Sequence, residues 1–379
     1  MKAVIHIGTH KTGTTTIQSL LENNRQALKK QGVFVPTDAP HHRLITATYH
    51  PKTWESGPLF SFKGHVNHNH HARKDFLNKV FNKCISPEQQ HKLWGKYRRE
   101  IEKNCNKEDT VIFTSEHFCH FLENEVARVK ELLDSLFEDT TVVLYLRRQP
   151  EFLVSQYHQF VLSGAAWNIF DFVNMPEDRS ILAYHQIVKR WSIFGKDKIK
   201  IRIFDRKAFH ENDLLSDFAA TVGFDLAGLK RVENRNEAVM SSAEVEFMRS
   251  LNSHIPMQID PHTRNPNYSK QVRKYIGNYA RKNSGGSTKG YHFNRNEAKQ
   301  ILDKYREGND WIAREYLGKE HLFDEDVSMY PEVVASGHNL TPEKWGEITA
   351  HVLHEIRKRQ ISYRFRKLRV WVQQKFLMR

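Results

Sequence analysis

Residues 3–7 form a short apolar run, Ala-Val-Ile-His-Ile, that turns through Gly8-Thr9-His10-Lys11-Thr12-Gly13-Thr14-Thr15 into a segment with helical spacing. A strand that passes through a glycine loop directly into a helix is the opening of a βαβ unit, which predicts a parallel sheet. The loop also predicts chemistry. First-turn N–H groups have no intrahelical acceptors, and the helix dipole adds partial positive charge there, so such a turn favours an anion. Gly8 and Gly13 fit the spacing Gly-x4-Gly-Lys-Ser/Thr of nucleotide-binding loops, but Thr14 stands in the lysine's place and the lysine is at position 11. An ordinary strand–turn–helix connection accounts for Gly13 but not for a lysine beside successive threonines. The expected ligand is a phosphate or sulfate ester.

Further along, short apolar runs alternate with helical patterns. Ile17, Leu20, Leu21 and Leu28 recur at helical spacing, and strands are expected at 32–36, 110–114, 141–146 and 198–204. Val126, Val129, Leu133 and Leu136 keep a helical stripe between the third and fourth of the five strands. The predicted fold class is α/β, a P-loop-like parallel sheet flanked by helices with a helical C-terminal extension. Parallel strands joined by crossover helices place ligand loops at the strands' C-terminal ends, and Lys11, Glu116 and Arg147 all follow such ends. Residues 38–107 are less regular and rich in His, Asn, Lys and Trp, which predicts a lid or acceptor-binding insertion. Its His65, His68, His70 and His71 lack carboxylate or cysteine partners and read as a solvated basic loop, so no metal is expected. The C-terminal half reads as helical. Helix starts are expected at Ser241-x-x-Glu244, at Asn294 with Glu297 and at Thr341-Pro342, with a basic loop over 281–289.

Composition narrows the class. The 379 residues carry a formal net charge of +14, with 39% hydrophobic, 27% charged and 11% aromatic residues, which fits a globular protein attracted to anions. No apolar run reaches the roughly 18 residues of a membrane span. Cys84, Cys105 and Cys119 show neither a disulfide framework nor close metal-ligand spacing. The first residues already read as a core strand, so the expectation is a cytoplasmic protein without a signal peptide. Nucleic acid is not an expected partner, because no RNA-recognition signature, zinc-finger spacing or basic zipper is present.

A second motif, Tyr145-Leu146-Arg147-Arg148-Gln149-Pro150, leads to Ser155-Gln156-Tyr157. A third is Val111-Ile112-Phe113-Thr114-Ser115-Glu116-His117-Phe118. Together with the Lys11-Thr12-Gly13-Thr14-Thr15 loop and Gln18, these resemble the sulfotransferases that use 3′-phosphoadenosine 5′-phosphosulfate (PAPS), in particular the bacterial sulfotransferase-domain type. The resemblance covers residues 2–318, with weaker signals at 236–241 and 309–317. It implies that Lys11, Thr12, Gly13, Thr14 and Thr15 bind the 5′-phosphosulfate. It also implies that an arginine at a strand end and a serine eight positions later, here Arg147 and Ser155, bind the 3′-phosphate. Guanidinium makes charge-assisted, often bidentate bonds to phosphate, which suits that role. Pro150 stands one place closer to Ser155 than in the commoner Arg-x-Pro arrangement, which leaves Arg147 and Arg148 both open. Glu116, and after it His117, occupy the position of the residue that accepts the acceptor's proton.

The resemblance thus implies transfer of a sulfuryl group from PAPS to an acceptor hydroxyl or amine, releasing adenosine 3′,5′-bisphosphate (PAP), with a carbohydrate or glycolipid as acceptor. Lys11 would stabilise charge developing on the leaving phosphate. Two other classes compete: a divergent P-loop kinase, which lacks the expected lysine after Gly13, and a non-catalytic protein that binds anionic glycan or a membrane surface. In domain terms, residues 1–330 are expected to form the sulfotransferase domain and 331–379 a basic helical extension. The extension sets Arg357, Lys358, Arg359, Arg364, Arg366, Lys367 and Arg369 beside Trp345, Ile356, Ile361, Phe365 and Trp371. That pattern fits an amphipathic helix at an anionic membrane, the inner surface in a cytoplasmic protein, or a helix whose apolar face packs on the protein itself.

Overall fold

A computed structural model describes residues 1–37, 87–162, 164–174, 181–231, 240–256, 265, 270–283, 292–334 and 340–377. The histidines at 65, 68, 70 and 71, residues 236–239 and the loop over 284–291 lie outside them. The chain divides into two compact units. The first comprises Met1–Gln156, Ile169–Asn234 and Asn296–Val327; the second comprises Tyr157–Asn168, Arg235–Arg295 and Ser328–Arg379.

The first unit holds a parallel five-stranded sheet in the order β2-β3-β1-β4-β5, with β1 at Lys2–His6, β2 at Val33–Phe34, β3 at Thr110–Thr114, β4 at Asp139–Leu146 and β5 at Ile199–Ile203. This is the expected α/β class. Strand β4 starts two residues before the expected 141, because Asp139 and Thr140 pair with Lys2 and Ala3. Strand β2 is shorter than 32–36: Gly32 sits at φ 74°, and Pro36 has no N–H to give a ladder.

Side chains alternate across the sheet. Ala3, Ile5, Ile7, Val111, Phe113, Val142, Leu144 and Leu146 enter one core, while Val4, Ile112, Val143 and Tyr145 enter the other. Burial on both faces explains why the strands read as continuous apolar runs rather than alternating ones. The second core is closed by α1 (Thr14–Asn23), α2 (Arg25–Lys29) and a helix at Leu214–Val222. The single helical stripe expected from Ile17 to Leu28 is broken at Asn24, whose amide donates to the Leu20 and Lys230 carbonyls at 2.7 and 2.9 Å.

On the opposite face lie α3 (Pro87–Asn104), α4 (Glu123–Asp134) and a helix at Tyr184–Trp191. Residues 87–104, read as the end of an irregular insertion, are instead an 18-residue helix. It buries Trp94, Tyr97 and Ile101, so these aromatics fill core. Helix α5 (Gln149–Leu162) follows β4, its first turns in the first unit and its last in the second.

In the second unit, the helix Ser242–His254 begins on the expected capping box, with Ser241 N donating to Glu244 Oε2 at 2.6 Å. Residues 281–283, expected in a loop, instead close the helix Lys270–Asn283, which runs through Gly277. The last helix, Pro342–Leu377, starts at the expected Thr341-Pro342. Its Ile348 and Val352 are buried, Trp345 packs at a tilt against Phe247 with ring centroids 4.4 Å apart, and Glu347 accepts from Tyr279 Oη at 2.7 Å. Side chains from 363 onward lie outside the described ones. Among the described residues, no helix is long and apolar enough to cross a membrane.

Candidate functional site

Because β1 lies between β3 and β4, the C-terminal ends of three strands emit their loops side by side. In open α/β sheets that edge is where ligands bind. The loop after β1 is shaped by Gly8 at φ 94°, Lys11 at φ 60° and Gly13 at φ 76°. A left-handed lysine is uncommon, and such residues concentrate at functional sites. Inside the loop, Thr12 Oγ1 donates to the Thr9 carbonyl at 2.6 Å, and Thr9 N donates to the Tyr145 carbonyl of β4 at 3.0 Å. The hydroxyls of Thr12, and more loosely of Thr14, 3.4 Å from the same carbonyl, are therefore engaged in building the loop. The helical bonds of α1 begin with Thr16 N and Ile17 N on Gly13 O. The amides of Thr14 and Thr15 precede them, in the first turn where an anion is favoured.

Gly13 is fixed by packing as well as by φ. A Cβ there would stand 2.2 Å from Leu214 Cδ2 and 3.3 Å from Phe204 Cε2. The same Phe204 ring lies under Arg147, whose Cζ is 5.6 Å from its centroid. Arg147 Nη1 donates to the Lys11 carbonyl at 3.3 Å, while its own carbonyl accepts from Tyr184 Oη at 2.6 Å. Arg148 turns elsewhere, to Glu151 Oε1 at 2.8 Å and the Asp326 carbonyl at 2.6 Å. Of the two arginines left open by the sequence, Arg147 is the one that reaches the loop. Ser155 lies in the second turn of α5, half-buried. The start of that helix is pinned by a reciprocal amide pair, Gln149 Nε2 to Asn309 Oδ1 at 2.9 Å and Asn309 Nδ2 to Gln149 Oε1 at 3.1 Å.

Beyond β3, Ser115 N donates to the His6 carbonyl at 3.0 Å and starts the 3-10 turn Glu116–His120. Glu116 backs onto the loop: a Cβ on Gly8 would meet its Cα at 3.0 Å. One carboxylate oxygen, Oε2, is buried and has no hydrogen-bond partner among the described residues. A buried carboxylate oxygen left without a partner is uncommon in a folded protein. The His117 ring lies edge-on to His10, with centroids 5.6 Å apart. The structure thus gathers Lys11 to Thr15, Glu116, His117 and Arg147 around one strand edge. It also shows what motif reading passed over: Phe204 and Tyr184, which seat Arg147, and the side chains of His10 and His120. His10 stood in plain view inside the loop motif. Phe204 and Tyr184 carry no local signal, because they arrive from distant segments. A separate groove of about 850 Å³ runs beside β5, lined by Lys200, Arg202, Asp217 and Tyr316 among others, away from this edge.

No protein-family model matches the chain. An uncharacterized protein of Archaeoglobus fulgidus is 27% identical over 226 residues, a match that spans 58% of each chain. Among solved structures, a sulfotransferase from Alicyclobacillus acidocaldarius is similar at TM-score 0.35 and 15% identity, covering 66% of this chain and 91% of that one. The sulfotransferase domain of the Synechococcus PCC 7002 olefin synthase is similar at TM-score 0.31 and 12% identity, covering 80% and 94%.

Proposed function

We propose that the protein is a PAPS-dependent sulfotransferase acting on a hydroxyl or amine, with a carbohydrate or glycolipid as the acceptor class. The observation that carries this reading is the meeting of the loop Gly8 to Thr15 with Arg147, through the Lys11 carbonyl, and with Glu116, through Gly8. The residues fit a donor of this kind. First-turn amides at Thr14 and Thr15 and the Lys11 cation suit a phosphosulfate, and a guanidinium at the neighbouring strand end suits a second phosphate. PAPS supplies an activated sulfuryl group. The chain's own work is to hold the donor, neutralise charge on the leaving phosphate with Lys11 and backbone amides, and take the acceptor's proton on Glu116, with His117 as the alternative base. Ser155 belongs to the same proposal as a neutral donor to the 3′-phosphate. So does a peripheral contact of the basic C-terminal helix with an anionic membrane, which would bring a lipid-linked acceptor near.

Ligand-linked stabilisation tests the reading, because a compound that binds only the folded chain raises its melting temperature. PAP and PAPS are expected to raise it without magnesium. Arg147→Ala should reduce the shift for PAP more than for an analogue lacking the 3′-phosphate. A response to magnesium-ATP with none to PAP would replace this reading with the kinase.

A further inference from the structure

The side chains on the flank of the loop opposite Arg147 carry an inference that does not depend on the donor. His10, within the loop, meets His120, at the end of the 3-10 turn, with Nε2 to Nε2 at 2.7 Å and ring centroids 4.9 Å apart. Cys119 is buried beside them, and one donor atom from each of His10, Cys119 and His120 lies within 4.8 Å of the other two. We propose that these three residues form a binding site for a divalent transition-metal ion of the zinc class.

Donor chemistry selects the ion. Two imidazole nitrogens and a sulfur suit borderline ions such as Zn²⁺ or Co²⁺, whereas Mg²⁺ and Ca²⁺ require oxygen ligands. Geometry asks for little movement. Metal–nitrogen bonds of roughly 2.0–2.1 Å in a tetrahedron set two ligand nitrogens about 3.3 Å apart, so the imidazoles need to part by only about 0.6 Å. The sulfur closes in by side-chain rotation. It now donates to the Glu116 carbonyl at 2.9 Å, a contact within its own turn. The turn itself is held by Phe118 and Phe121, both fully buried with ring centroids 5.3 Å apart.

Proton bookkeeping is simple. In the ion-free pair one imidazole donates its Nε2 proton to the other; on binding, that ring takes the Nδ1 tautomer. Cys119 gives up its thiol proton to solvent, so one proton leaves for each ion bound. Three protein ligands leave a fourth position open. An ion held here bonds the loop that carries Lys11 to the turn that carries Glu116 and His117. It would fix the spacing between the anion side and the base side of the strand edge.

The test uses the full chain, stripped with a chelator and titrated with Co²⁺ as the probe. One ion per chain should remain after gel filtration, with a thiolate-to-cobalt charge-transfer band and ligand-field bands of four-coordinate intensity. The band should persist in the Cys84→Ser/Cys105→Ser chain, where Cys119 is the sole thiol, and vanish in Cys119→Ser. Zn²⁺ affinity of His120→Ala should fall by more than the roughly 10- to 100-fold that loss of a supporting partner costs. Circular dichroism checks the fold of each variant. Should Cys119→Ser fail to fold, the doubly substituted chain decides alone. Folded protein without stoichiometric Co²⁺ uptake, uptake with no thiolate band, or a band that survives Cys119→Ser would each overturn the site.

Discussion

Gly13 and Glu116 are the residues on which the strand edge turns, one for its missing side chain and the other for its unsatisfied one. Gly13→Ala places a methyl group against Leu214 Cδ2 at φ 76°. A left-handed L-residue costs about 1–2 kcal/mol and overpacking about 1–3 more, so urea unfolding should show a loss of at least about 2 kcal/mol. Unchanged stability would mean that the loop is not seated on Leu214. For Glu116→Gln the expectation is a different split. The amide keeps shape but cannot take a proton, so PAP affinity should hold while turnover falls by about 10²- to 10⁴-fold. His117→Ala is the paired variant. If it alone is inactive, the two residues exchange roles. Both candidates follow β3 directly in sequence, which is why they were legible. That Arg147 rather than Arg148 reaches the loop was not, since it depends on Phe204, Tyr184 and Asp326 from elsewhere in the chain.

At the level of elements, β1 ends in a histidine that no motif marks. His6 is fully buried, bonds Thr114 Oγ1 of β3 through Nδ1 at 2.8 Å, and packs against Tyr145 and Phe218. Burial lowers its pKa to about 3. An unfolded histidine titrates near 6.5, so between that pH and about 3 the unfolded chain binds the extra proton and the folded chain does not. The stabilising effect of a neutral His6 is therefore complete above pH 6.5 and is lost as pH falls, by up to about 1.4 kcal/mol per pH unit from this group. Urea midpoints at pH 7, 6 and 5 should drop in the native chain and drop less steeply in His6→Gln. Parallel slopes would show that other groups govern acid unfolding. Close by, Tyr145 Oη and Arg202 both donate to the buried Asp217. Burial works to raise that carboxyl's pKa, but the bonds from Arg202, the His210 amide and Tyr145 prevail and hold it below the usual range.

The whole molecule carries its +14 charge unevenly, and the last helix is its most basic stretch. Within the second unit, Ile348 and Val352 are buried, whereas Arg357, Lys358, Arg359 and Ile361 are exposed. The start of the apolar face therefore packs on the protein, and the charges begin beyond it. A chain ending at Gln360 keeps that packed part and loses Arg364, Arg366, Lys367 and Arg369. Each basic residue near an anionic surface contributes about 1 kcal/mol, so the full chain should sediment with phosphatidylserine vesicles much more strongly than the shortened one, and the difference should shrink with salt. Equal sedimentation would remove the tail as an anchor.

Local order was readable because it obeys short-range rules. Buried strands appear as apolar runs, helix starts as Ser241-x-x-Glu244 and Thr341-Pro342, and the anion loop as glycines and threonines between a strand and a helix. The parallel class followed from the alternation of these elements. Strand order, and with it the meeting of Lys11, Glu116 and Arg147 at one edge, follows from which strands bury each other's faces across more than a hundred residues. The encounter of His10 with His120 is of the same kind, because β1 and β3 must pair before those imidazoles can touch. Trp94 and Tyr97 make the converse point: composition alone suggested a ligand-facing insertion, and only burial against the sheet shows that they are core.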